Sequence, residues 1–168
     1  MKTAVDIRTM VEADLPAVLA IQAICYTELT PESKGSMRAK LSASQATCLI
    51  ASLGGSTVGY LIALPWESSN PPVLNAETCR LPPSPSCLYL HDLAVTPEAR
   101  KFGAGRALVE AFLTRLRDSG LGRASLVAVQ DSAPYWERHG FRAVPLSEPL
   151  RARLSTYGRG VQYMERTT

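Results

Sequence analysis

Apolar residues recur along this chain at two different periods, one typical of helices and one typical of strands. A spacing of three and four residues predicts amphipathic helices in which one face is buried. Helices with this spacing are predicted over residues 15–25, 34–42, 103–119 and 132–139. Asp14 is interpreted as the N-cap of the first helix, with Pro16 in its first turn, and Gly120 ends the third.

Shorter apolar runs bounded by turn residues predict strands. They lie at 46–53, 57–64, 88–95, 124–129, 141–144 and 161–164. The first two flank Gly54-Gly55, a pair that predicts a β-hairpin turn. The order is two helices, a hairpin, a strand, a helix, a strand, a helix and two strands. This order predicts one α/β (α+β) domain over residues 1–168.

The segment 65–87 differs in composition from the rest of the chain. It holds half of the 12 prolines, at positions 65, 71, 72, 82, 83 and 85. A loop of this length inside a compact domain is uncommon and often functional. A plain surface insertion is the alternative, and the sequence leaves both open.

Composition narrows the class of protein. The 168 residues are 46% hydrophobic and 20% charged, which excludes a disordered chain. No apolar run reaches 18 residues, so no membrane span is expected, and a net charge of +3 is too small to indicate a nucleic-acid partner. The N-terminus lacks an apolar signal core, which predicts a cytoplasmic protein. The four cysteines form no Cys-x-x-Cys pair, so neither a metal nor a disulfide is expected.

The predicted strand 88–95 leads into a basic, glycine-containing turn that opens a long helix. The first N–H groups of such a helix have no partner within it, and the helix dipole favours an anion there. Gly103 and Gly105 allow a pyrophosphate to approach the backbone without meeting a Cβ. The basic residues at this helix end oppose the dipole, so an anion explains them better than helix stability does. They are Arg100, Lys101 and Arg106. An ordinary basic surface turn is the alternative.

The spacing Arg-x-x-Gly-x-Gly over 100–105 is more specific than a lone Gly-x-Gly. It lacks the Lys-Ser/Thr of a P-loop and the third glycine of a dinucleotide fingerprint. With the run 92–100 before it and Tyr135-Trp136 followed by Gly140-Phe141 after it, the chain resembles the GNAT superfamily of acetyl-CoA-dependent N-acetyltransferases. The resemblance implies a mixed, mostly antiparallel central sheet of six to seven strands flanked by about four helices. In that fold a splayed strand pair forms the acetyl-CoA slot.

The resemblance also implies which residues bind acetyl-CoA, with no metal involved. The backbone of Leu93 and Val95 would pair with the pantetheine arm, and loop N–H groups would hold the pyrophosphate. The full implied set is Leu93, Ala94, Val95, Arg100, Lys101, Phe102, Gly103, Ala104, Gly105, Arg106, Ser132 and Trp136. Ser132 stands in for an Asn that family members often carry at the position of Val129.

In the family the acceptor amine attacks the acetyl carbonyl directly, which requires a base and an acid for the leaving thiolate. His91 is the predicted base, because it lies on the strand before the loop and an ordinary histidine titrates near ~6.5. Many members place a tyrosine as the acid where this chain has Trp136. The nearest hydroxyl is one residue earlier, so Tyr135 is the candidate acid, with a packing role as the alternative.

An aromatic and acidic region is expected to bind the acceptor, because such residues suit a cationic amine. The candidates are Tyr26, Glu28 and Trp66, with Glu32, Glu67 and Tyr157 in the same region. The predicted function is transfer of an acetyl group to the primary amine of a small molecule. The alternatives are a protein N-terminal or lysine acetyltransferase and a non-catalytic acyl-CoA-binding module. Homodimers are common in the family, and a homodimer stays open here.

Overall fold

The computed structural model describes residues 4–27 and 31–168, in which six helices flank a seven-stranded sheet. The strands are β1 (Val5–Thr9), β2 (Cys48–Leu53), β3 (Ser56–Trp66), β4 (Cys87–Val95), β5 (Arg123–Ala128), β6 (Arg142–Ala143) and β7 (Gln162–Thr167). The helices are α1 (Leu15–Cys25), α2 (Lys34–Ala43), α3 (Pro97–Arg100), α4 (Ala104–Ser119), α5 (Ala133–Arg138) and α6 (Glu148–Leu154). The order of the strands across the sheet is β1-β2-β3-β4-β5-β7-β6.

The mostly antiparallel sheet confirms the predicted fold class. Every neighbouring pair in this sheet of described residues is antiparallel except β4 with β5. The sequence analysis missed β1, whose five residues alternate between half-buried and exposed positions. Such a short edge strand gives little apolar signal, because only its inward residues contact the core.

The helices differ from the prediction in number and in one cap. The described residues hold six helices rather than about four, the additions being the single turn α3 and the arginine-rich α6. Ser147 begins α6 by accepting a hydrogen bond from the N–H of Leu150. The expected capping role of Asp14 is wrong, since its carboxylate instead accepts hydrogen bonds from Arg8 and from the N–H of Val11.

Alternation along β2 and β3 builds a core on each face of the sheet. Leu49 and Leu61 point to one face, where they pack with Leu108 and Phe112 of α4. Their neighbours point to the other face, where they pack with α1 and α2; they are Cys48, Ile50, Tyr60 and Ile62. Side chains that alternate in this way allow helices to cover both faces of one sheet.

The parallel pair β4–β5 separates partway along its length. Leu88–Leu90 pair with Ala124–Leu126, and the pairing ends there. At this point β4 carries a bulge, because Ile62 and Ala63 of β3 face Asp92 and Leu90 and leave His91 without a partner residue. A bulge bends its strand and raises the local twist. The strands therefore diverge into a fork, and the predicted splayed pair is present.

Candidate active site

A cavity of about 980 Å³ occupies the fork between β4 and β5. Strand β4 runs along it, so that residues near His91 lie at one end and residues beyond Val95 lie at the other. The second end is called the basic end, because four arginines line it. They are Arg100, Arg106, Arg138 and Arg166. A cavity of this size is within the range of sites for small-molecule ligands.

The basic end includes the start of α4. Gly103 precedes this helix with φ of +80°, a left-handed conformation that favours glycine. A Cβ built at Gly105 would lie 3.0 Å from Tyr135 Oη, so a side chain there would crowd the cavity wall. Helix N–H groups without helical partners, arginines and a glycine surface are together suited to a phosphate-type anion.

The arginines at this end also affect His139, which lines the same cavity. Burial lowers the pKa of His139, and the positive charges of Arg106, Arg138 and Arg166 lower it further. The environment therefore resists any additional cation and is suited to an anion.

The backbone of β4 faces the cavity at alternate residues. Thr96 N donates to Val58 O across the β3–β4 ladder at 2.8 Å, so Leu93 and Val95 direct their own N–H and C=O groups away from β3. The Leu93 carbonyl accepts from Tyr26 Oη at 2.8 Å. The Val95 carbonyl accepts from Arg100 Nε at 3.1 Å. An unpaired strand edge of this kind can pair with an extended ligand.

His91 belongs to a buried cluster of charged residues. Its Nε2 lies 2.5 Å from Glu32 Oε1, and Lys40 Nζ lies 3.2 Å from Glu32 Oε2. Ser36 joins Lys40 and Glu32 through its hydroxyl, at 2.8 Å and 3.1 Å. The other ring nitrogen of His91, Nδ1, is buried and has no hydrogen-bond partner among the described residues.

The cluster keeps Glu32 ionised. Burial raises the pKa of Glu32, but attraction to His91 and then to Lys40 outweighs burial and lowers the pKa to about 2. Because the His91 side chain is only 2% exposed, it is shielded from bulk solvent. A histidine held by a carboxylate through one nitrogen has its ring orientation fixed.

Asp92, which follows His91, is half-buried and contacts Tyr60 on the face of the sheet that α1 and α2 cover. Its Oδ2 accepts from Tyr60 Oη at 2.7 Å. Burial raises the pKa of Asp92. The sequence analysis quoted this residue only as part of a motif and assigned it no contact.

The aromatic pair occupies two different environments. Trp136 is buried and packs edge-on against Phe141, with ring centroids 5.7 Å apart. Tyr135 lies on the cavity wall with its hydroxyl near Gly105, at the basic end rather than at the fork. Burial raises the pKa of Tyr135.

Most residues predicted from the sequence to bind a cofactor line this one cavity. They are Leu93, Ala94, Val95, Arg100, Gly103, Gly105, Arg106, Ser132 and Trp136, and Tyr26, His91 and Tyr135 join them. The side chains of Lys101, Phe102 and Ala104 do not line it, although they belong to the same loop. Trp66 lies away from the cavity and donates to Asn70 O. Glu28 lies outside the described residues.

Several cavity residues were not predicted from the sequence. Arg138 and Arg166 come from α5 and β7, which meet only in the folded chain. Leu74 comes from the proline-rich segment, in which no periodicity marks an inward position. Tyr157 was named only as one residue of the acceptor region, and it lines the cavity from a short 3-10 turn after α6.

Within residues 4–27 and 31–168, no three His, Cys, Asp or Glu side chains come together as a metal site. Over the same ranges, no helix has both the length and the apolar character needed to cross a bilayer.

Several solved structures have a fold similar to that of this chain over nearly its whole length. The loading GNATL domain of CurA from Lyngbya majuscula has a TM-score of 0.77 at 14% identity, with 97% of each chain covered. Ard1 from Thermoplasma volcanium has a TM-score of 0.73 at 16% identity, with 98% of each chain covered. The PaiA N-acetyltransferase from Thermoplasma acidophilum, solved in complex with coenzyme A, has a TM-score of 0.69 at 13% identity and covers 98% of this chain and 99% of its own.

Sequence comparison supplies the family. No curated protein is significantly similar in sequence to this chain. A family model described as the acetyltransferase (GNAT) family matches residues 15–141, about three quarters of the length. This match includes the fork, the glycine-containing loop and the aromatic pair. The chain therefore belongs to the acetyltransferase (GNAT) family.

Proposed function

We propose that this protein transfers the acetyl group of acetyl-CoA to the primary amine of a small molecule, by direct attack within a ternary complex. The observation that carries the proposal is the fork between β4 and β5, which opens directly onto the glycine-containing start of α4. One cavity thus joins a strand edge suited to an extended arm with a site suited to a phosphate.

The residues at the basic end fit the charged part of acetyl-CoA. Gly103 and Gly105 leave the α4 N–H groups accessible to a pyrophosphate, and the arginines supply positive charge. Leu93 and Val95 present backbone groups to the pantetheine arm. The bound thioester supplies the activated acetyl group.

His91 is the proposed base for the acceptor amine. The Glu32 carboxylate accepts a hydrogen bond from Nε2–H of His91. This leaves Nδ1 as the nitrogen that receives a proton. The ionised Glu32 carboxylate stabilises the imidazolium that then forms. Tyr135 is the proposed acid for the leaving thiolate, and its hydroxyl lies near Gly105 at the basic end of the cavity. Replacing Tyr135 with Phe and measuring kcat separately from the acetyl-CoA Kd tests this role.

Calorimetric titration with acetyl-CoA, CoA and ADP tests the donor half of the proposal. Gly103→Trp should abolish binding of acetyl-CoA, because the new side chain occupies the phosphate approach and the residue has positive φ. Gly120→Trp is the matched control. It lies at the other end of α4 with φ of +72° and, like Gly103, meets no atom within 4 Å of its Cβ position.

Two outcomes would contradict the proposal in different ways. Well-folded protein that binds no acetyl-CoA would remove the donor. Tight binding of acetyl-CoA without transfer to any amine would favour the non-catalytic acyl-CoA-binding module instead. Acetylated product that disappears on His91→Ala substitution supports the enzyme.

A further inference from the structure

The proline-rich segment 67–86 forms a continuous crossing between two walls of the cavity, and we call it the strap. On one side it is attached to the start of α2. The N–H of Ser33 donates to Asn75 Oδ1 at 2.8 Å, and the Ser33 hydroxyl donates to Glu77 at 2.7 Å. Ser33 directly follows Glu32, a cavity-lining residue, so this attachment lies at the edge of the cavity.

On the other side the strap is attached to the C-terminal part of the chain. Tyr157, another cavity-lining residue, donates its hydroxyl hydrogen bond to the carbonyl of Pro72. The N–H of Ser69 donates to Tyr163 Oη at 2.7 Å, and Arg153 donates to Asn70 at 3.3 Å. The strap therefore bridges two elements that the sheet itself holds on opposite sides of the fork.

Between these attachments the strap contributes to the wall of the cavity at the end that is remote from the arginines. Leu74 lies between Pro72 and Asn75 and lines the cavity. Pro71 and Pro72 of the strap are buried. Prolines restrict the backbone, so a segment held at both sides in this way keeps its position at little further entropic cost.

Most of the residues that line this end of the cavity are apolar or aromatic. They are Pro31, Leu74, Leu90, Val127, Tyr26 and Tyr157, besides the polar residues Gln22, Glu32 and Asp92 and the base His91. Except for His91 Nδ1, the polar groups here already have partners. Both amide atoms of Gln22 bond to the backbone of Glu32, at 3.0 Å and 3.1 Å, and the Glu32 carboxylate is shared by His91 and Lys40.

We propose that the acceptor is a small primary amine with a compact apolar body, alkyl or aryl, which binds beneath the strap. An apolar body gains from burial against the aliphatic lining, whereas a hydroxyl or carboxylate placed there loses its hydration without gaining a partner. Because the strap is hydrogen-bonded at both sides of this end, an extended peptide that continued beyond its amine would have to pass these contacts. This inference rests on the proposed function, because it concerns the acceptor of the same reaction.

The experiment compares four acceptors at saturating acetyl-CoA, following release of the thiol: isoamylamine, phenethylamine, ethanolamine and a tetrapeptide with a free N-terminus. We expect kcat/KM for the two apolar amines to exceed that for ethanolamine and for the peptide by about tenfold or more, since burial of a few methylene groups is worth that factor. A preference for the peptide or for ethanolamine would overturn the inference while leaving the proposed function intact.

Two variants on the strap provide a matched pair. Leu74→Asp places a charge in the apolar lining and should raise KM for isoamylamine about tenfold, with the Kd of acetyl-CoA unchanged. Val73→Asp is the control, because Val73 is its neighbour on the strap but is half exposed and does not line the cavity. Equal effects of the two substitutions would overturn the inference. Absence of transfer to every amine by protein that binds acetyl-CoA would overturn the proposed function, and the inference with it.

Discussion

Glu32 lies between two basic side chains in the protein interior, and its carboxylate satisfies both. Lys40 is almost wholly buried and has no other carboxylate partner among the described residues. We expect Glu32→Gln to lower the free energy of unfolding at pH 7 by about 3–5 kcal/mol, because it leaves the buried ammonium without a counter-charge. Urea denaturation measures this loss. Asp118→Asn, the same change on an exposed carboxylate, is the control and should have little effect.

The lowered pKa of the Glu32 carboxylate predicts how the free energy of unfolding depends on pH. The pKa of Glu32 is lowered from an ordinary 4.5 to about 2, so the native state favours its ionised form. The stability that this gives is fully present above about pH 4.5 and is lost as the pH falls through about 2. The groups facing Glu32 are His91, Lys40 and Ser36. The difference in unfolding free energy between the native protein and Glu32→Gln should therefore narrow on acidification, and a constant difference would contradict this assignment.

Gly105 and Tyr135 form a close pair that a double-mutant cycle can test. Alanine at Gly105 would place its Cβ 3.0 Å from Tyr135 Oη, and the ring is held edge-on against Trp136 and His139, with centroids 5.0 Å and 4.9 Å away. Gly105→Ala should be destabilising in the presence of Tyr135 and tolerated with Tyr135→Phe, which removes the crowded oxygen. We expect a coupling energy of about 1 kcal/mol from thermal or urea unfolding. Strictly additive effects would show that the ring moves freely.

Among the elements, β4 decides the geometry of the site through one extra residue. Deleting His91 removes the bulge and restores an uninterrupted ladder with β3, so the strand should straighten and the fork should narrow. We expect the deletion protein to lose acetyl-CoA binding in calorimetry. His91→Ala retains the backbone length and serves as the control, because it should bind acetyl-CoA while losing transfer activity. Binding by the deletion protein would show that the fork does not depend on the bulge.

Local patterns predicted those elements whose burial follows a simple period. The hairpin of β2 and β3, strand β4 and helix α4 all have apolar faces that recur at fixed spacing, and all were predicted within a few residues. The glycine-containing loop was also identified, because it combines basic residues with two glycines at a helix start. The bulge at His91 could not be predicted, since no residue type marks it.

The missing parts of the site depend on contacts between distant positions. Ser33 and Asn75 are 42 residues apart, and Tyr157 and Pro72 are 85 residues apart. No local pattern encodes a hydrogen bond over such a separation, so the course of the strap was left open between a functional loop and a surface insertion. The contact between Glu32 and His91 was missed for the same reason, although both residues had been named.

At the scale of the whole molecule the two ends of the cavity differ in charge. A net charge of +3 is small for 168 residues, yet four arginines converge at the basic end. Acetyl-CoA binding should therefore weaken about tenfold as ionic strength rises from roughly 20 mM to 500 mM, since salt screens exposed charges. Calorimetry at several salt concentrations measures how steeply the Kd of acetyl-CoA rises with ionic strength.

Two arginine variants test which charges cause the salt dependence of acetyl-CoA binding. Arg138→Gln should reduce this salt dependence, because Arg138 lines the basic end. Arg117→Gln should leave it unchanged, because Arg117 is exposed near the far end of α4. The same slope in both variants would show that the effect comes from net charge alone.

The strap has a consequence for how such a protein can diversify. One uninterrupted segment between β3 and β4 supplies Leu74 to the wall of the apolar end, whereas other elements, among them β4 and α4, supply the basic end. Insertions in surface segments are tolerated far better than changes within a sheet. Under the proposed function, proteins that differ only in strap length or strap sequence should therefore differ in the amine that they accept while they keep the same acyl donor. Exchanging straps between relatives is then a direct route to engineered acceptor preference.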